Sequence, residues 1–143
     1  MANIVIVYDS LRGNTKRVVD VMSELFTGAG HAVKAVKPKE AEVADLEAAD
    51  FLLLGGPTYH KDLINTMKQV LFKFEKADLN GKPGAAFASF GWSGESLGIL
   101  EDTMKNLYEM NIVVDGIKIK QTPVAAKIKK EVEPFAQKIL ATL

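Results

Sequence analysis

The sequence predicts an α/β fold, a doubly wound five-stranded parallel sheet in the order 2-1-3-4-5 with helices on both faces, formed by residues 1–143 as a single domain. Three observations lead there. Short β-branched or aliphatic runs alternate with longer segments of helical period, the pattern of βαβ units. The strand-like runs are almost wholly apolar, as strands covered on both faces are. The 143 residues, 48% of them hydrophobic, suffice for one ordinary domain with its own core. Five βα units in one such domain favour the order 2-1-3-4-5.

Asn3–Tyr8 is the first strand. From Thr15 to Phe26, the residues Val18, Val19, Met22, Leu25 and Phe26 share one helical face, and Gly28 and Gly30 end that helix. Ala32–Val36 and Phe51–Leu54 are the second and third strands, separated by the acidic stretch Glu40–Asp50, which holds a short helix. Ile64, Met67, Val70, Leu71 and Phe74 mark another amphipathic helix. Asn80-Gly81-Lys82-Pro83 is a loop by its turn chemistry, and Gly84–Ser89 is the fourth strand. Leu97, Leu100, Met104, Leu107 and Tyr108 give the next helix a buried stripe. The fifth strand lies within Ile112–Ile119, with a bulge or bend at Asp115-Gly116. The tail from Ala125 is helical, and Pro134 within it predicts a kink or a restart.

Composition narrows the chemistry. Eighteen basic residues balance eighteen acidic ones, so no global field recruits nucleic acid or an anionic membrane. The absence of cysteine excludes disulfides, thiolate metal sites, iron–sulfur clusters and cysteine nucleophiles. Two histidines, His31 and His60, leave little for a metal centre. No basic leader precedes the first strand and no apolar stretch approaches membrane-spanning length, so a cytoplasmic location is expected.

Ligands of doubly wound sheets bind beyond the carboxyl ends of the strands, near the point where strand order reverses. The connections to inspect are therefore Asp9–Asn14, Gly56–Leu63 and Phe90–Glu95. The first offers hydroxyls at Ser10 and Thr15, the amide of Asn14 and a flexible Gly13, and it ends at a helix N-terminus, where unpaired N–H groups favour an anion. A phosphate fits there. The same residues also suit plain helix capping, and the loop is neither a GxGxxG fingerprint nor a Walker loop. The second puts Pro57, Thr58, Tyr59 and His60 on an edge expected to face solvent, where Tyr59 can stack on a flat ligand or fold over the sheet. The third, Ser89-Phe90-Gly91-Trp92-Ser93-Gly94-Glu95, sets the only tryptophan between glycines. Trp92 either stacks on a ligand or packs on its own helix with Ser93 as N-cap. Taken together, the three connections describe a phosphorylated planar heterocycle.

Tyr8–Thr15 (Tyr-Asp-Ser-Leu-Arg-Gly-Asn-Thr) resembles the phosphate loop of flavodoxin-like domains. Gly55–Tyr59 (Gly-Gly-Pro-Thr-Tyr) and Ala85–Glu95 (Ala-Ala-Phe-Ala-Ser-Phe-Gly-Trp-Ser-Gly-Glu) resemble the flavodoxin module of flavodiiron, or A-type, flavoproteins. The likeness spans essentially the whole chain. It implies a flavodoxin-like fold of the short-chain class, FMN bound non-covalently, and electron transfer between redox partner proteins by a monomer or weak dimer. By position, Ser10, Leu11, Arg12, Gly13, Asn14 and Thr15 would hold the phosphate. Pro57, Thr58, Tyr59 and His60 would border the ring from one side, and Ser89, Phe90, Gly91, Trp92 and Gly94 from the other.

The chain departs from its relatives in three ways. A flavodiiron protein carries a metal-binding domain before its flavin module; neither the length nor two histidines could supply it here, which excludes oxygen or nitric oxide reduction by this chain alone. Many flavodoxins are acidic around the flavin, whereas this chain is neutral and has Lys61 near the ring. Where many flavodoxins place a glycine whose peptide flips as the flavin is reduced, Tyr59-His60-Lys61 stands here, and a non-glycine adopts positive φ less readily. An alternative is a small FMN-dependent NAD(P)H:quinone or flavin reductase. A phosphoacceptor domain would need an aspartate where Gly55-Gly56-Pro57 ends the third strand, and a flavin-free interaction module would make the three loops a coincidence.

Because a nearby cation stabilises added negative charge, the second one-electron reduction should lie at a less negative potential than in acidic flavodoxins, with the half-reduced flavin less persistent. An anaerobic redox titration checks this. A very low second potential with a long-lived half-reduced form would contradict it.

Overall fold

In the computed structural model, which describes residues 2–9, 14–59, 62–63, 77–90, 95–120 and 125–143, the first apolar run forms strand β1 (Asn3–Tyr8) at the predicted bounds. It pairs in parallel with β2 (Ala32–Val36) on one side and with β3 (Phe51–Tyr59) on the other. On the far side of β3 lies β5 (Pro83–Phe90), also parallel. Two short parallel strands, β6 (Asn111–Ile112) and β7 (Ile117–Lys120), complete the sheet against β5. Counting β6 and β7 as one interrupted strand, the order is the predicted 2-1-3-4-5.

Period-two alternation splits the interior into two cores. Ile4, Ile6 and Tyr8, with Phe51, Leu53, Ala85 and Phe87, face the side covered by α1 (Asn14–Gly28) and α4 (Ala125–Leu140). Val5, Val7, Leu52, Leu54, Ala86 and Ala88 face the other, covered by α2 (Val43–Ala48) and α3 (Glu95–Asp102). The predicted helix around Ile64–Phe74 lies outside the described residues.

Of the predicted stripe, α1 buries Val18, Val19, Met22 and Phe26, and Leu25 is half-buried beside them. Its end is closed by Gly30 at φ +92°. The Gly30 N–H donates to the Thr27 carbonyl (3.0 Å) and the His31 N–H to the Phe26 carbonyl (3.1 Å), the paired bonds that a left-handed residue makes possible after a helix.

Five elements differ in detail from the expectation. β3 does not stop at Leu54 but runs to Tyr59, and β4 (Asp62–Leu63) turns back antiparallel upon it, so most of the loop expected over Gly56–Leu63 is ladder. Gly55 is a strand residue for a packing reason: a Cβ there would lie 2.1 Å from the Phe87 ring. Pro57 is tolerated because Gly55 turns its carbonyl toward the Asp9 N–H (3.3 Å). By alternation, the N–H that proline lacks also faces the β1 side, where the ladder has already ended.

Pro83, expected in the loop, is instead the first residue of β5, a position where a strand tolerates proline. The fifth strand is broken between β6 and β7. There Gly116 admits the Leu97 side chain and the Ala86 carbonyl at 2.5 and 2.7 Å from where its Cβ would be, and its N–H donates to the Glu101 carboxylate (3.2 Å).

The helix from Glu95 changes to π geometry over Thr103–Leu107. α4 runs as one element across Pro134 rather than restarting. Proline within a helix costs about 3 kcal/mol, but it sits on the exposed face. Ile128, Val132, Phe135 and Ile139 are buried opposite it, at about 1.5–3 kcal/mol for each large side chain. The buried stripe outweighs the proline.

Gly55→Ala should lower the unfolding free energy by about 2 kcal/mol through overpacking against Phe87, measured by urea denaturation. A neutral or stabilising result, as expected of alanine in an unobstructed strand, would contradict the packing account.

Candidate functional site

Strand order reverses between β1 and β3, so the chain leaves β1 at Asp9, β3 at Tyr59 and β5 at Phe90 along one edge of the sheet. α1 starts at the same edge. The first N–H groups of a helix have no partner within it and carry the positive end of its dipole. An anion placed at Asn14 would meet both.

Beneath this edge, the Thr15 and Ser89 hydroxyl oxygens lie 2.8 Å apart. The residues are 0% and 1% exposed and are the only buried polar side chains among the described residues. Seventy-four positions separate them in sequence. Thr15 is the second residue of α1, and Ser89 is near the end of β5, between Pro57 of β3 and Ile119 of β7. Their hydrogen bond therefore ties the start of α1 to the strand that leads into the Phe90–Glu95 connection. Burial excludes water as a substitute partner, so removing either hydroxyl leaves the other unsatisfied.

Of the predicted site residues, Thr15 and Ser89 are described in full and are brought together. Asn14, Pro57, Thr58, Tyr59 and Phe90 are placed by their backbone, all at this edge. Ser10, Leu11, Arg12, Gly13, His60, Gly91, Trp92 and Gly94 lie outside the described residues. The link from Ser89 to Thr15 was not anticipated. The signal was present nonetheless: Ala85 and Phe87 face the core under α1, and counting two onward puts Ser89 on that same side.

His31 sits at the opposite edge, where its Nδ1 accepts the Ala2 N–H (3.0 Å). Among the described residues no cluster of three potential metal ligands occurs, and no helix is long and apolar enough to cross a membrane.

The fold and this edge define a doubly wound α/β domain with an anion-favouring helix N-terminus at its switch point. The family model described as "Flavodoxin domain" matches residues 5–115, and the chain belongs to that family. FMN, which the sequence resemblance implies, is the cofactor of this class. Over 85 residues, 59% of its length, the chain is 35% identical to the type A flavoprotein of Rhodobacter capsulatus, of which it covers 19%. It is 27% identical to the flavodoxin of Nitratidesulfovibrio vulgaris, with 100% of each chain covered. Among solved structures, flavodoxin 2 of Bacillus cereus superposes with a TM-score of 0.90 at 24% identity, over 99% of this chain and 100% of that one. The chain spans between 19% and 35% of the length of the flavodiiron and diflavin relatives it matches.

The buried hydroxyl pair makes a stability prediction for the protein without added flavin. Ser89→Ala should cost about 1–3 kcal/mol, and Thr15→Val added to it should cost little more. A double-mutant cycle by thermal or urea unfolding checks this; additive losses would show that the two hydroxyls do not depend on one another.

Proposed function

We propose that this chain binds FMN at the carboxyl edge of its sheet and carries electrons between redox partner proteins. The observation that carries the reading is the convergence of the α1 N-terminus with the ends of β3 and β5, joined by the Thr15–Ser89 bond. Family membership supports it.

The phosphate is assigned to Ser10, Leu11, Arg12, Gly13, Asn14 and Thr15, through hydroxyls and the free backbone N–H groups at the start of α1. Thr58, Tyr59 and His60, following Pro57, take one side of the ring. Phe90, Gly91, Trp92 and Gly94 take the other. The residues present fit the group: an anion-favouring helix terminus stands beside two strand ends whose sequences supply aromatic side chains and glycine backbone. FMN supplies the one- or two-electron chemistry, and the chain binds it, orients it and excludes water from it.

A cytoplasmic location, a single domain and a monomer or weak dimer belong to the same proposal. So does the choice of a carrier over a reductase: neither the three loops nor the Thr15–Ser89 pair resembles a nicotinamide site or an acid–base pair.

Adding the protein to FMN should quench flavin fluorescence with a one-to-one end point and shift the visible band. Unchanged free-flavin fluorescence at micromolar protein would contradict the proposal. With bound FMN, a reduced nicotinamide and a quinone should give only slow steady-state turnover in the absence of a partner protein. Rapid turnover would replace the carrier with a reductase.

A further inference from the structure

We propose that Ser89 is a positioning residue of the phosphate subsite, acting through Thr15, rather than a group that borders the flavin ring. The inference rests on the FMN reading above. Its basis is the 2.8 Å bond between two hydroxyls that are both essentially inaccessible.

Where each proton can go decides the direction of this bond. A hydroxyl has one proton to donate and two lone pairs to accept with. Within helices, threonine usually spends its proton on the carbonyl four residues earlier. Thr27 does so with the Ser23 carbonyl (2.6 Å), and Thr103 with that of Ile99 (2.7 Å). Thr15 is the second residue of α1 and has no helical carbonyl four residues before it. Its proton is therefore free of that intrahelical claim, and its one hydrogen bond among the described residues, to Ser89, can run in either direction.

A phosphate dianion offers acceptors only, so Thr15 must act as the donor toward it. The bond to Ser89 must then run the other way, with the Ser89 O–H donating to Thr15 Oγ1. Ser89 thus fixes both the rotamer and the proton orientation of Thr15. Chained hydroxyls of this kind polarise one another, and the contact to a charged group is the stronger member.

Phosphate and ring effects separate if the two flavins that differ by that phosphate are compared. Dissociation constants for FMN and riboflavin are measured by fluorescence quenching on the whole chain carrying Ser89→Ala, Thr15→Val, both substitutions, or Thr15→Ser, with folding checked by circular dichroism. Ser89→Ala should weaken FMN about fivefold and leave riboflavin unchanged, since the bond it removes joins two neutral hydroxyls and acts on the phosphate only through Thr15. Thr15→Val, which removes the bond to the charged group itself, should weaken FMN about tenfold, the double variant should lose no more than Thr15→Val alone, and Thr15→Ser should keep the FMN preference.

Ser89→Cys retains the volume and weakens the donor. It should shift the ratio in the same direction and decides the matter if Ser89→Ala fails to fold. Equal weakening of both flavins would put Ser89 at the ring and overturn the inference while leaving FMN binding intact. Additive losses in the double variant would overturn the route through Thr15. If the unmodified chain binds neither flavin, the FMN reading fails, and the inference with it.

Discussion

Because β1 pairs in parallel with β3, and β3 with β5, the chain must return to the same end of the sheet after every strand. Each carboxyl terminus then opens onto one edge, and each return requires a covering segment. Strand order reverses between β1 and β3, so β2 and β3 lie on opposite sides of β1, and the chain leaving β1 passes into α1 on one face of the sheet. The first helix starts at that edge, where its first N–H groups have no partner within the helix. The anion-favouring character of the edge follows from topology, and the Ser10–Thr15 segment refines it.

Holding three strand ends at fixed spacing requires the strands to pack closely. Gly55 yields its side-chain space to Phe87, so β3 and β5 stay in register up to the edge. Two positions beyond Phe87, the same face presents Ser89 to Thr15. The sheet's alternation thus passes from an apolar core to a single polar contact at its end. That contact lies where a low local dielectric makes a hydroxyl pair stronger and an unpaired hydroxyl more costly.

Much of this was legible in the sequence because burial on both faces writes itself as uninterrupted apolar runs. Asn3–Tyr8 and Ala32–Val36 were readable to the residue, and so was the helical stripe ending in Phe26 apart from the half-buried Leu25. Gly55-Gly56-Pro57 misled because glycine and proline ordinarily punctuate strands. Here the glycine answers to the Phe87 ring and the proline to a ladder that has ended, and both partners are distant in sequence. The restart that Pro134 allows does not occur, since its local cost is outweighed by apolar burial along the other face of α4. At the site, residue types singled out the connections at the edge where β1, β3 and β5 end, but the contact of Ser89 with Thr15 joins residues 74 positions apart and emerges only once strand parity is fixed in three dimensions.

The central claim is that an FMN phosphate sits at the first turn of α1, with the ring between the ends of β3 and β5. Backbone amide chemical shifts recorded by NMR before and after one equivalent of FMN test it most directly. The account predicts large shifts confined to residues 10–17, 58–61 and 89–95, with His31 and Gly81 at the opposite edge unmoved. Shifts centred on that opposite edge, or spread evenly over the chain, would contradict it.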